Sequence, residues 1–284
     1  MIGRTKPKIE IPNLSLDSDI FWRKSPSNPT SDDIPAELYS LWLNTSTGEI
    51  FVYMGLQNGK AVWKGQHGTI IVPSTVSKFD FFDDGSAIAL WQFDGNANDT
   101  GGNYDGVWQG AEQYDVGKFG QCAKFDGNSY INTNISNFPS TVTLSLWFKQ
   151  GAIDTSTHHC LFCFSKDGKN TLNLWQYATD TKKKMYFDIN GSAESLPKFY
   201  EDNTWHHLVV VSSGKVYVDG EKVLDIPSVD LSVVNKPLLI GADWDSDKDN
   251  PNDFASSGTY VDQLRIFNRV LTEDEVQQLY NEIG

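Results

Sequence analysis

Four groups of residues could do chemistry. His158-His159-Cys160-Leu161-Phe162-Cys163 gathers two imidazoles and two thiols, the ligand types that zinc takes. Leu161 to Phe164 reads as strand, however, and residues three apart on a strand point to opposite faces. Cys160 and Cys163 are therefore expected neither to share a metal nor to bond each other. No second ligand pair follows at zinc-like spacing, so core thiols are the better reading. His206-His207 follows Trp205, but no Ser or Cys nucleophile lies beside it in sequence, and no catalytic role is assigned. The segment 243–253 sets Asp243, Asp245, Asp247 and Asp249 beside Asn250 and Asn252, hard oxygen ligands of the kind calcium prefers. It fails as an EF-hand: Lys248 stands sixth, where Gly is needed, and Phe254 twelfth, where Glu is needed. A calcium loop and a solvated acidic loop both stay open. The last group is aromatic. Sugars stack their C–H faces on exposed rings beside Asn and Asp side chains. Of Trp147, Trp175, Tyr177 and Trp244, the polar flanks of Trp175, Tyr177 and Trp244 make these the glycan-binding candidates. Trp91 and Trp205 are expected to fill the core.

Strands must position these groups. From Ala87 onward short apolar runs alternate with Gly, Asn and Asp turns every ~8–12 residues, the signature of an antiparallel β-sandwich. In 144–148 a period of two puts Leu144, Leu146 and Phe148 on one face and Ser145 and Trp147 on the other. Val216-Tyr217-Val218 runs into Asp219-Gly220 and returns through Glu221-Lys222-Val223-Leu224, a hairpin. One helix is expected, at the C-terminus: Thr272 caps it, Glu275 reaches back to the cap amide, and Val276, Leu279, Tyr280 and Ile283 share a face.

Ahead of the sandwich, residues 1–36 carry Pro7, Pro12, Pro26, Pro29 and Pro35 and read as an extended arm, docked through Ile20, Phe21 and Trp22. Residues 37–72 read as a three-stranded meander turning at Gly48 and at Asn58-Gly59. Residues 73–86 read as a linker, leaving 87–284 to the sandwich. A length of 284 residues suits two unequal units.

Composition narrows the partners. Lys and Arg number 23 against 37 Asp and Glu, a formal charge of −14 that disfavours nucleic acid and anionic lipid. Aromatics reach 13 % with nine Trp, unlike a disordered chain. No apolar run approaches the ~18 residues of a spanning helix, so no membrane insertion is expected. Met1 to Lys8 lacks the apolar core of a secretory signal, and three cysteines, Cys122, Cys160 and Cys163, make no disulfide framework. Synthesis in a reducing cytoplasm is the expectation.

Several stretches resemble laminin-G-like, concanavalin A-like jelly-roll domains: 89–102 from Ala89-Leu90-Trp91 to Gly101-Gly102, Gly117-Lys118-Phe119-Gly120 leading to Phe125-Asp126-Gly127, Leu144 to Phe148, Thr204-Trp205-His206-His207-Leu208, and Val261-Asp262-Gln263-Leu264-Arg265-Ile266-Phe267. The resemblance covers about 87–284. It implies an all-β antiparallel jelly roll with a small N-terminal β-meander and one C-terminal helix. It also implies a structural calcium near Asp94, Asp99 and Asp262. Hydrolases on this fold commonly carry Glu-x-Asp-x-x-Glu, which is absent here, so no enzyme is expected. Leu41-Trp42-Leu43-Asn44 through Ile50-Phe51-Val52 and Ala61-Val62-Trp63 resembles hairpin modules of bacteriophage tail fibres and other virion proteins. This implies a virion component (tail fibre, spike or capsid decoration) made in the host cytoplasm, held to other virion proteins through residues 1–72 and binding host-surface glycan. A homotrimer is compatible with it, although no heptad run enforces one. The alternatives are a carbohydrate-active enzyme or its accessory module, a purely structural particle-stabilising protein, and a bacterial adhesin fragment.

Overall fold

In the computed structural model the alternating apolar runs build two units, residues 1–75 and 76–284. The structure describes residues 21–25, 29, 35, 41–44, 50–57, 60–65, 70–71, 79–153, 158–178, 183–244 and 250–282. The first unit is a five-stranded sheet in the order Phe21–Ser25, Leu41–Asn44, Ile50–Gln57, Lys60–Gly65, Ile70–Ile71. Its three middle strands are the expected meander. Within residues 1–36, Phe21–Ser25 is an extended strand that pairs in parallel with Leu41–Asn44. No proline falls inside that strand, so every amide can join the ladder. Trp42, Phe51 and Tyr53 form this unit's buried cluster. Gly48 and Asn58-Gly59, the expected turns, lie outside the described residues.

The second unit stacks two antiparallel sheets. One runs Ser192–Ser195, Lys183–Ile189, Lys169–Ala178, His158–Lys166, Leu239–Ile240, Tyr130–Asn132, Val107–Gln109. The other runs Glu221–Asp225, Lys215–Val218, Trp205–Val211, Thr143–Gln150, Thr259–Phe267, Gln121–Phe125, Tyr114–Val116, with Ala87–Trp91 also paired to Thr259–Phe267. Leu144, Leu146 and Phe148 enter the core between the sheets with Phe162, Phe164, Leu174, Phe187, Leu208 and Val261. Ser145 and Trp147 point the other way but are also buried, because further segments cover the outer faces.

Those covers matter for function. Over the eight-stranded sheet lies the helix Glu273–Tyr280, whose capping box joins Thr272 and Glu275 reciprocally as its sequence requires. Val276 and Leu279 press on Val209, Val211 and Phe267. The described part of the expected linker, 79–86, packs here too: Phe81 and Phe82 join that cluster, and Asp84 pairs with Arg269 at 2.7 Å.

Over the seven-stranded sheet lie residues 241–244 and 250–255. They contain a short hairpin, Asp243–Trp244 with Pro251–Asn252, and shield Cys160, Cys163, Trp175 and Leu239. Gly241 opens this segment with φ +83°, and a Cβ there would come within 2.6 Å of the Phe125 ring. Left-handed strain and overlap with a core ring add, so Gly241→Ala is expected to cost about 2 kcal/mol in urea unfolding. A loss below about 0.5 kcal/mol would show that the segment is not pinned at this residue.

A candidate ligand cleft on the seven-stranded sheet

Residues 241–244 and 250–255 leave an open cleft of about 640 Å³ against the sheet. Lys169, Trp175 and Asp188 reach it from neighbouring strands, Gly168 and Asn190 from the two turns, and Asp243, Trp244, Asn252 and Asp253 from the covering residues. Asp188 fixes its own turn by accepting the Gly191 N–H at 2.7 Å, which holds Asn190 at the rim. Trp244 is anchored by its indole N–H, which donates to the Pro237 carbonyl at 2.8 Å, with the Lys236 ammonium 5.3 Å above the ring. The Trp175 indole N–H is buried and makes no hydrogen bond. A donor left unpaired in the interior is costly.

The structure thus brings together two of the three aromatic candidates. Trp175 and Trp244 share the cleft but are only 7 % and 9 % exposed, so they form its wall and offer edges rather than open faces. Tyr177 does not line it and stacks on His158 at 4.6 Å. Of the acidic run, Asp243 stands in the cleft, whereas Asp245, Asp247 and Asp249 lie outside the described residues.

Cys160 and Cys163 correct the expectation that they face opposite ways. Both fall in the same buried cluster with Trp175 and Trp244, because a β-bulge between Cys160 and Phe162 inserts a residue and resets the alternation. They are buried thiols, not a disulfide, and burial raises both pKa values.

The residues implied as calcium ligands are dispersed in role. Asp99 is buried and its two oxygens accept four backbone N–H groups, from Leu90, Gly101, Asn103 and Tyr104, at 2.9–3.2 Å. It shapes the 99–104 turn. Asp94 accepts the Gln121 N–H at 2.6 Å and Asp262 accepts the Phe119 N–H at 2.9 Å, so both hold the 117–121 loop. Among the described residues no three His, Cys, Asp or Glu side chains are grouped to hold a metal.

With this geometry the relatives can be placed. A laminin-G-type profile described as the concanavalin A-like lectin/glucanases superfamily matches residues 125–277. The chain belongs to this superfamily. Comparison with curated proteins returns no match. Among solved structures, domain 4 of AbnA, a GH43 extracellular arabinanase from Geobacillus stearothermophilus solved with arabinotriose, is similar at TM-score 0.54 and 22 % identity. That match covers 69 % of this chain and 98 % of that one. A point mutant of HCR/D is similar at TM-score 0.50 and 17 % identity, over 69 % of this chain and 50 % of that one. A structure of botulinum neurotoxin type C, whose cell entry depends on two ganglioside molecules, aligns at TM-score 0.49 and 16 % identity, over 69 % and 51 %. At these identities the likeness shows the fold, and this chain spans about half the length of the latter two.

Within the superfamily's sandwich the two histidines divide. His206 is clamped between Asp219 at 2.8 Å and Asp202 at 3.0 Å. Burial opposes its charge, but those two hydrogen bonds outweigh burial and raise its pKa. His207 lies 2.8 Å from Ser145 Oγ, a pair the sequence did not reveal because 62 residues separate the two. Cross-strand register brings them together, Ser145 opposite Val209 and Trp147 opposite His207. Ser145 and His207 are 0 % and 1 % exposed, so no substrate reaches them. Trp205 corrects its expected place in the core. It is half-buried on the outer face, in phase with His207 and Val209 but beyond the rings that the helix covers.

Proposed function

We propose that the 76–284 unit is a non-enzymatic carbohydrate-binding domain that takes a host-surface glycan in the cleft of Trp175, Asp188, Asn190 and Trp244. The observation that carries this is the cleft itself: two tryptophans in one wall and amide, carboxylate and ammonium groups at the rim. Such a mix of apolar wall and convergent polar groups suits a sugar, whose ring faces are apolar and whose edges carry hydroxyls. A fold relative solved with arabinotriose supports the reading and supplies the first probe.

Titration calorimetry of the full chain with arabinotriose, followed by a glycan array, tests it. Replacing Asp188 and Asn190 together by Ala is expected to weaken binding at least about tenfold, because two rim hydrogen bonds are lost, and also to lower Tm, because Asp188 holds the turn and Asn190 has φ 51°, so binding is compared at a temperature where the variant is folded. Glycan binding that ignores both substitutions would move the site elsewhere, and no binding to any glycan would leave a particle-stabilising role. Repeating the melts with calcium and with chelator tests the 243–253 run as a calcium loop.

We further propose that residues 1–72 attach the chain to other virion proteins, as a tail fibre, spike or capsid decoration. The hairpin-rich front sequence and its five-stranded sheet support this reading. Labelling purified particles with an antibody to residues 1–75 tests it, and particles free of the chain would overturn it.

A further inference from the structure

The outer face of the eight-stranded sheet is covered by the helix only at the Val209, Val211 and Phe267 end. At the other end four half-exposed side chains form one row across four adjacent strands. Lys124 stands opposite Tyr260, Tyr260 opposite Lys149, and Lys149 opposite Trp205. Cation and ring alternate along it: the Lys149 ammonium is 4.1 Å from the Tyr260 ring centre and 5.2 Å from that of Trp205, and Lys124 is 5.8 Å from Tyr260. Beside the row, a groove of about 390 Å³ is lined by Trp205, Lys118, Trp147, Asp219, Tyr280 and Asn281. There the Lys118 ammonium sits 4.2 Å from the Trp147 ring.

Two features set this face apart. Lys124 is paired with Asp115 at 3.0 Å, but among the described residues Lys118 and Lys149 make no ion pair. Two ammonium groups without an ion pair, Lys118 over Trp147 and Lys149 over Tyr260 and Trp205, run against a formal charge of −14 for the whole chain. Trp147, 1 % exposed and lining the groove, also has an indole N–H without a partner.

We propose that this row and groove form a second ligand site, for an acidic oligosaccharide carrying carboxylate or sulfate groups. A sugar ring would lie on the open side of Trp205, its anionic substituent between Lys149 and Lys118, and its hydroxyls toward Asp219 and Asn281. Each ammonium is already partly desolvated over a ring, so meeting an anion costs less water than it would on an open surface. The flanking carboxylates Asp219, Asp202 and Glu282 and the overall charge oppose a continuous phosphate backbone, which separates a spaced acidic glycan from nucleic acid. This site is on the sheet opposite the Trp175 cleft and does not depend on that cleft binding sugar.

The test is calorimetry of the full chain with hexameric oligogalacturonate, a heparin-derived hexasaccharide, a neutral galactan hexamer and oligo-dT, at low and high salt. At least one acidic hexamer is expected to bind at low salt, with affinity falling about tenfold or more as screening rises, and the neutral hexamer at least tenfold more weakly. Which acid binds better separates carboxylate from sulfate recognition. The double substitution Lys118→Gln, Lys149→Gln is expected to cost about tenfold or more, Trp205→Ala a similar loss, and Lys149→Arg less than about threefold. Should Trp205→Ala fold poorly, the lysine variants, which leave every ring in place, still decide, their fold checked by Tm. Binding of neither acid, binding untouched by the lysine substitutions, or tighter binding of oligo-dT through the same lysines would each overturn the proposal.

Discussion

Glu282→Ala is expected to lower the free energy of unfolding by about 3–5 kcal/mol, although the residue sits next to the chain end, where substitutions are ordinarily tolerated. Its carboxylate meets the Arg265 guanidinium at 2.8 Å, and the two side chains are 5 % and 1 % exposed. Arg265 belongs to the central strand Thr259–Phe267 and points outward beneath the helix, with the Phe81 ring 5.4 Å away. Removing Glu282 takes a carboxylate away from a guanidinium that is 1 % exposed, and the cost is the desolvation that this ion pair had offset. The pair also ties the end of the helix to the sheet, where Tyr280 stacks on Trp147 at 5.8 Å. Replacing both partners, Arg265→Met with Glu282→Leu, is expected to cost far less than Glu282→Ala alone, because no charge is then stranded. Urea unfolding of the single and double variants measures this. A loss under about 1 kcal/mol for Glu282→Ala would mean that water reaches the guanidinium and that the helix end is not a structural clasp.

The same residues show what a sequence can and cannot disclose. Leu144, Leu146 and Phe148 declare their face because alternation is a local rule, and Thr272 with Glu275 declares a helix start because a capping box spans a single turn. Asp219 and Gly220 declare a tight hairpin for a similar reason, and both adopt positive φ, 53° and 83°. Parity failed at Cys160 and Cys163, since one bulged residue inverts every face beyond it and bulges leave no sequence mark. The Trp175 and Trp244 wall was half legible: polar neighbours picked out both rings, but only the fold of 241–244 and 250–255 over the sheet shows that they meet and that little of either face is open. Ser145 with His207, and the row of Lys124, Tyr260, Lys149 and Trp205, were not legible. They depend on register between strands distant in sequence, which no local pattern specifies. Both proposed ligand sites are therefore products of covering and register, while the sandwich beneath them follows from alternation.

The strongest pH effect is expected from Asp262, and Asp262→Asn is expected to stabilise the protein at pH 8 by up to roughly 4 kcal/mol. Asp262 is fully buried on the outer face of the central strand. One of its oxygens accepts the Phe119 N–H at 2.9 Å and the other has no partner. Burial first, and the neighbouring Asp94 charge after it, push its pKa up to about 7, although backbone N–H groups of Phe119 and Lys118 oppose the rise. In the unfolded chain the same carboxyl titrates near 3.8. Between those values the unfolded state has lost a proton that the folded state keeps, so stability falls as pH rises from about 4 to about 7. His207 acts in the opposite sense. Burial, with Arg265 nearby, pushes its pKa down to about 3 from 6.5, so the unfolded state holds the extra proton and stability rises with pH over that window. The Asp262 and His207 slopes largely cancel between about pH 4 and 6.5, and above 6.5 the Asp262 loss is joined by that of His206, whose raised pKa gives up its stabilisation as pH rises. An amide at 262 keeps the acceptor for Phe119, supplies a neutral group where the carboxylate would ionise, and uncovers the His207 slope. The variant should therefore lose stability on acidification from pH 6.5, and on alkalinisation toward 8 lose only what deprotonation of His206 removes. Urea unfolding from pH 4 to 8 in chelator, with and without subsequent calcium, measures both limbs. A variant less stable than the native protein at pH 8 in chelator would show that the ionised carboxylate is the form the fold requires, and stabilisation of the native protein alone by calcium would assign Asp262 to a cation.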